Sequence, residues 1–330
     1  MNNMLPRPRF WAEAAVQIKT HHTIFAEMLI YLLLSFIALF AQSAAIAIPM
    51  SGWILGNKAD ELMEAFAAGE MPQNMILELM KQMPDWMTVV TLISGGAIGA
   101  AAIIYCLKFQ KRTLSSMGLG RKHRVGEAVL GFALGLALMG AVVGIGVAAG
   151  GYRLTWTRPT GTVLLLLALT LLGCLAYGSS LELLTRGYFA PTVGSFLPVA
   201  GALVISTLAS AMMQTGDSLF SLGTANHLLL SLLLGIFVLK RGNLWGACAL
   251  HSAWLFAEGF LFDVAPAGSH GTIRLFAVDA DLYRPAISGG EYGPENSICA
   301  TVVLLAAIIA ALSLKPKNPL PVEPEQPHED

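Results

Sequence analysis

From Val163 to Tyr177 the chain runs through fifteen residues with Thr170 as the one clearly polar side chain, and this is one of eight such stretches. They lie at about 24–48, 87–107, 127–150, 162–180, 198–214, 225–239, 243–262 and 297–314. A transmembrane helix needs about 20 mostly apolar residues, because every backbone N–H and C=O must be satisfied inside the bilayer. Only 12% of the residues are charged and 55% are hydrophobic, with a mean hydropathy of +0.65. Soluble domains carry about 25% charged residues. The expected fold is all-α: a polytopic membrane helix bundle of about eight transmembrane helices.

The distribution of cations orients this map. With the N-terminus inside, the inside segments hold fourteen Lys and Arg, among them the cluster Lys108, Lys111, Arg112, Arg121, Lys122 and Arg124. The outside segments hold six. The excess of positive charge on cytoplasmic loops places both termini in the cytoplasm and the chain in the cell membrane as a multi-pass protein. Residues 1–124 read as a two-span N-terminal region, with an amphipathic segment at 57–85 outside the membrane. Residues 125–265 form a core of helices, 266–314 an external connection and the last span, and 315–330 a disordered tail rich in Pro and acids. The first apolar run exceeds the h-region of a signal peptide, about 7–15 residues. It reads as a retained span, although Ala41 to Ala45 resembles a cleavage site. A net charge of −1 implies no bulk attraction to nucleic acid. The bilayer itself is the first expected partner. Cys106, Cys174, Cys248 and Cys299 form no CxxC pair and read as small buried hydrophobes.

Few polar groups lie within the spans, and those few are candidates for function. Glu27 opens the first and is expected to reach the interface. Glu182 and Arg186, four residues apart on one helical face, end the fourth. Gln214 ends the fifth, and His251 and Glu258 lie in the seventh. Asn226 and His227 open the sixth as cap or interface residues. A metal-assisted hydrolase needs about three protein ligands, a water and a base. His251 and Glu182 are the best candidates for such roles, with Glu258 third and Gln214 a weak ligand. There is no HExxH and no GxSxG. The structural alternative is an ion pair that fixes a helix end, with a hydrogen-bonded histidine and glutamine between helices.

Three motifs on successive apolar helices make residues 125–265 resemble the CAAX-protease and bacteriocin-processing family of intramembrane metalloproteases. The first motif, a Glu pair followed three residues later by Arg and Gly, appears as Leu181-Glu182-Leu183-Leu184-Thr185-Arg186-Gly187. The second, Phe and then His four residues on, appears as Ser210 to Gln214. The third, His and then Asn or Asp four residues on, appears as His251 to Leu255, after Gly242-Asn243-Leu244-Trp245. The resemblance implies that the first Glu activates water and that the two His and the Asn bind metal or stabilise the oxyanion. At those positions this sequence has Leu181, Gln214 and Leu255. Glu182, Arg186, Gly187 and His251 are retained, and His251 alone remains as an implied metal ligand. A leucine accepts no proton, and an amide binds transition metals far more weakly than imidazole. Glu182 is turned about 100° from position 181 unless the helix is irregular there.

The expectation is a member of this family that is proteolytically degenerate and binds membrane-embedded proteins or peptides, with no cofactor. An active protease with a rearranged site built on Glu182, His251 and Glu258, using zinc or another divalent metal, is the alternative. A small-molecule transporter is the third reading, although no repeated halves with broken helices are evident.

Overall fold

The computed structural model describes residues 5–20, 22–69, 84–213, 220–264 and 272–317. Each of the eight apolar stretches is helical over most of its described residues. A short amphipathic helix, α1 (Arg9–Gln17), precedes α2 (Ile24–Asn57), which is capped by the Thr23 side chain accepting from the Ala26 N–H. The first span, expected at about 24–48, is longer than that: α2 continues through Pro49 to Asn57. In an apolar helix the single backbone bond that proline removes does not outweigh the bonds on either side, and membrane helices tolerate it. The helix α3 (Ala59–Ala67) covers part of the segment expected to be amphipathic, and 70–83 lie outside the described residues.

A second long rod comprises α4 (Asp85–Ser94), α5 (Gly96–Ile104) and a π-helical turn, Tyr105–Phe109. Next come α6 (Arg124–Ala148) and α7 (Gly161–Glu182), which runs on through a π-helical segment, Leu183–Phe189, to Val193. The remaining helices are α8 (Val199–Met212), α9 (Leu222–Arg241), α10 (Trp245–Phe256), extended by a π-helical turn to Leu261, and α11 (Ile298–Ser313). Five of these rods, 24–57, 85–109, 124–148, 161–193 and 222–241, are long and apolar enough to cross a membrane. The helices α8 and α11 are apolar but shorter. Bands of exposed Leu, Ile, Val and Phe, such as Leu29, Leu33, Phe36 and Phe40 on α2, face outward, as expected where lipid replaces water.

Small residues set the helix spacing. A Cβ added to Gly131 of α6 would lie 2.0 Å from the Gly246 carbonyl oxygen of α10, and one on Gly135 2.3 Å from that of Leu250. This is the small-xxx-small pattern by which membrane helices approach closely. At the centre, α9 lies parallel to α11. Asn226 near its start donates to the Glu295 and Ser297 carbonyls, and the Lys240 ammonium at its end donates to those of Leu312 and Leu314. Lys240 thus closes the C-terminus of α11, where free carbonyls accumulate.

One element was not expected. Between α6 and α7, β1 (Tyr152–Trp156) pairs antiparallel with β2 (Phe276–Ala280), with Tyr152 opposite Ala280 and Trp156 opposite Phe276. The two aromatic side chains meet edge to face at 5.1 Å. The ribbon ties the connection before α11 to the end of α6.

Candidate functional site

The C-terminal end of α7 carries the site because its partners come very close there. A Cβ at Gly178 would lie 2.7 Å from Ser252 Oγ and 2.8 Å from Ser252 Cα on α10. One residue before that contact on α10 is His251, and one turn after it on α7 is Glu182. The close crossing therefore brings them together, with His251 Nδ1 2.9 Å from Glu182 Oε1. The Arg186 Nη1 group donates to the same oxygen at 3.0 Å. Glu182 and His251 have no exposed surface and Arg186 is 2% exposed.

Arg186 gathers two further helices. Nη1 also donates to Ser210 Oγ of α8 at 3.0 Å, and Nη2 donates to the Ser231 carbonyl of α9 at 2.7 Å and to its Oγ at 2.5 Å. The guanidinium therefore joins α7, α8 and α9, and through Glu182 it joins α10. A buried charge is costly unless it is hydrogen-bonded, and the bonds of Nη1 and Nη2 offset that cost. Leu181 is buried in the main apolar core, and Leu255 is half-buried against a smaller cluster around Phe256 and Phe260.

The helix changes to π geometry at Leu183, immediately after Glu182. Such turns leave backbone carbonyls displaced and are frequent at functional sites. Arg112 donates to two of them, and to one carbonyl of its own loop. Its Nη2 donates to the carbonyls of Ser116 (2.6 Å) and Gly187 (2.9 Å), and its Nη1 to that of Tyr188 (3.3 Å). Burial pushes the Arg112 guanidinium below its ordinary pKa, while Cys106, Tyr188 and Glu27 oppose that shift. Glu27, expected at an interface, is instead 1% exposed. It accepts from the Tyr188 hydroxyl at 2.7 Å and from Gln110 Nε2 at 3.4 Å. The reason is that the loop 110–118 folds back over the start of α2, so both polar residues meet the π-helical segment. Neither Arg112 nor Ser231 stood out in the sequence. Ser231 had one signal, its isolation in the apolar run Leu228 to Leu234.

Of the other candidates, Glu258 is buried in the π-helical turn Ala257–Leu261 and makes no hydrogen bond to Glu182 or His251. His227 lies 3.3 Å from Glu295, which also accepts from Trp254 Nε1 at 2.6 Å. These contacts hold the turn Pro294–Asn296 over the start of α9. Gln214 lies outside the described residues.

Three buried polar atoms in the site have no hydrogen-bond partner among the described residues: Glu182 Oε2, His251 Nε2 and Arg186 Nε. The first two are donor atoms of a kind that binds metal. They are only two, and Oε1 of the same carboxylate is already held by a guanidinium. A catalytic zinc site takes about three protein ligands. Among the described residues no three His, Cys, Asp or Glu side chains are placed to hold one ion. The site as described does not fit the metal that the resemblance implies.

Residues 160–257 match the family model described as Rce1-like, type II CAAX prenyl endopeptidase Rce1-like. The chain carries an Rce1-like domain. No curated protein and no solved structure matches the chain. The Rce1-like segment begins at Thr160, the N-cap of α7, and ends just after α10. It therefore contains Glu182, Arg186, Ser210, Ser231 and His251. The chain thus combines an Rce1-like segment with helices long and apolar enough to cross a membrane.

Proposed function

We propose that this Rce1-like protein binds a segment of a membrane-embedded protein or peptide and does not cleave it. The observation that carries the reading is that Glu182 Oε1 is held by both Arg186 and His251, while apolar side chains stand at 181 and 255. A carboxylate that accepts from both an arginine and a histidine is a poor base for water. The unpartnered Glu182 Oε2 and His251 Nε2 would instead receive polar groups of the bound segment, since leaving such buried atoms unpaired is costly. The test uses purified full-length protein. Metal content and cleavage of a prenylated or leader-type peptide are measured, together with photo-crosslinking to the same peptide. Crosslinking without cleavage is expected. Metal-dependent cleavage abolished by Glu182→Gln or His251→Ala would overturn the proposal.

One observation favours a second reading. If Nδ1 of His251 donates to Glu182, its Nε2 is left as a lone pair with nothing to accept from. That is the orientation in which a carboxylate prepares an imidazole to take a proton. Unlike the metal-using protease considered from the sequence, a hydrolase that used this imidazole as base without a metal would show cleavage that survives chelators and is lost in His251→Ala.

A further inference from the structure

At the basic end of the bundle, a cavity of about 340 Å³ opens between α1, the turn before α6 and the α9–α10 junction. Arg9, Arg121, Lys122, His123, Arg241 and Lys317 line it. Two carboxylates also face it, and both are engaged. Glu127 accepts from Arg241 Nε and Nη2, each at 2.8 Å, and from Lys317 Nζ at 2.9 Å. Glu13 Oε2 accepts from Ser115 Oγ at 3.0 Å. Arg9, Arg121 and Lys122 remain as cations with no ion pair among the described residues.

The backbone adds to this field. His123 stands in the left-handed region (φ 58°) as the N-cap of α6, and its side chain caps nothing. The first N–H groups of a 25-residue helix therefore keep their positive end next to the cavity. Like charges grouped around one concavity repel each other, so the empty arrangement is unfavourable until an anion enters. The donor set suits a phosphate group: arginine forks and helix N–H groups match its several acceptor oxygens.

The placement decides between a soluble anion and a lipid. The cavity lies at the end of α6, a helix long enough to span the bilayer. From its first turn, Val125 (70% exposed) and Val129 (63% exposed) form an outward apolar track one helical turn apart. A headgroup in the cavity would leave its acyl chains on that track. We propose that the cavity binds the phosphate headgroup of an anionic phospholipid.

Binding of short-chain phosphatidic acid and phosphatidylcholine to the detergent-solubilised full chain tests this, with inorganic pyrophosphate as a soluble competitor. Wild-type protein is expected to prefer phosphatidic acid. The variant Arg9→Gln/Arg121→Gln/Lys122→Gln should lose about a hundredfold in affinity. The control Lys108→Gln/Lys111→Gln, two exposed cations outside the cavity, should stay within about threefold of wild type. All three cavity residues are exposed, so an unchanged melting midpoint confirms that the variant folds, and Lys122→Glu alone gives a second reading in the same direction. Equal losses in both variants would show diffuse attraction and overturn the proposal. So would equal binding of phosphatidylcholine, or tight pyrophosphate binding that phosphatidic acid does not displace.

Discussion

Gly178 and Ser252 are in backbone contact: a methyl group at 178 would fall 2.7 Å from the serine hydroxyl and 2.8 Å from its Cα. The crossing of α7 and α10 at this point sets how far Glu182 stands from His251. Substituting Gly178→Val must push the helices apart, since Ser252 Cα belongs to a rigid backbone. Overpacking of this kind costs about 1–3 kcal/mol. The expected outcome is a lower unfolding midpoint and loss of the Glu182–His251 bond, read from the ¹⁵N shifts of the His251 ring. Wild-type ring shifts in Gly178→Val would refute the role given to this contact.

Glu182 and Arg186 should be energetically coupled. Removing the carboxylate in Glu182→Leu leaves a guanidinium that is 2% exposed without its counter-charge, at a cost of about 3–5 kcal/mol. The double substitution Glu182→Leu/Arg186→Leu removes both charges and should be less destabilised than Glu182→Leu alone. A coupling energy of at least about 1 kcal/mol is expected from a double-mutant cycle of denaturant unfolding. Simple additivity would show that the two side chains do not act as a pair.

Much of this was legible in the sequence, and the rest was not for physical reasons. Apolar runs of span length can satisfy their backbone only as helices, so the helical bundle followed from patterning. The pairing of Glu182 with Arg186 followed from their spacing, because a helix places i and i+4 on one face. The π-helical segment starting at Leu183 did not follow, since no local propensity marks the extra residue in the turn. Nor did the contacts of Arg112 with the Gly187 and Tyr188 carbonyls, 75 and 76 residues away in sequence. The buried position of Glu27 was missed because burial depends on Tyr188 and Gln110, which only the tertiary fold brings to it. The β-ribbon was missed because each strand is five residues long and its partner lies at least 120 residues away in sequence, as for Trp156 and Phe276.

Arg112 should behave as a fork, not as a charge. Arg112→Lys keeps the cation but supplies one compact ammonium in place of the planar donors that reach Ser116, Gly187 and Tyr188 together. Leaving buried carbonyls unpaired costs about 1–3 kcal/mol. Hydrogen exchange should accelerate in 183–193 with little change in α9, whose ends are tied to α11. Uniform acceleration across the chain would mean that Arg112 supports global stability alone.

The strongest test of the site's chemistry is to restore what the resemblance implies is missing. Position 181 holds a leucine that is 4% exposed, and position 255 a half-buried one. Neither has a donor atom, and His251 supplies one imidazole whose Nδ1 already faces Glu182. That contact is the carboxylate support usual for a metal-binding histidine, with Nε2 as the ligand atom. The triple substitution Leu181→Glu/Gln214→His/Leu255→Asn puts a carboxylate, a second imidazole and an amide at the three positions where the resemblance implies them. A buried carboxylate at 181 without a counter-ion would destabilise the fold, so metal binding should raise the melting midpoint of the triple variant more than that of wild type. By elemental analysis the triple variant is expected to retain close to one equivalent of zinc after gel filtration. Wild type and each single variant should retain well under one equivalent. A full equivalent in wild type that disappears in His251→Ala would show that the natural side chains already complete a metal site, and would reverse the non-proteolytic reading.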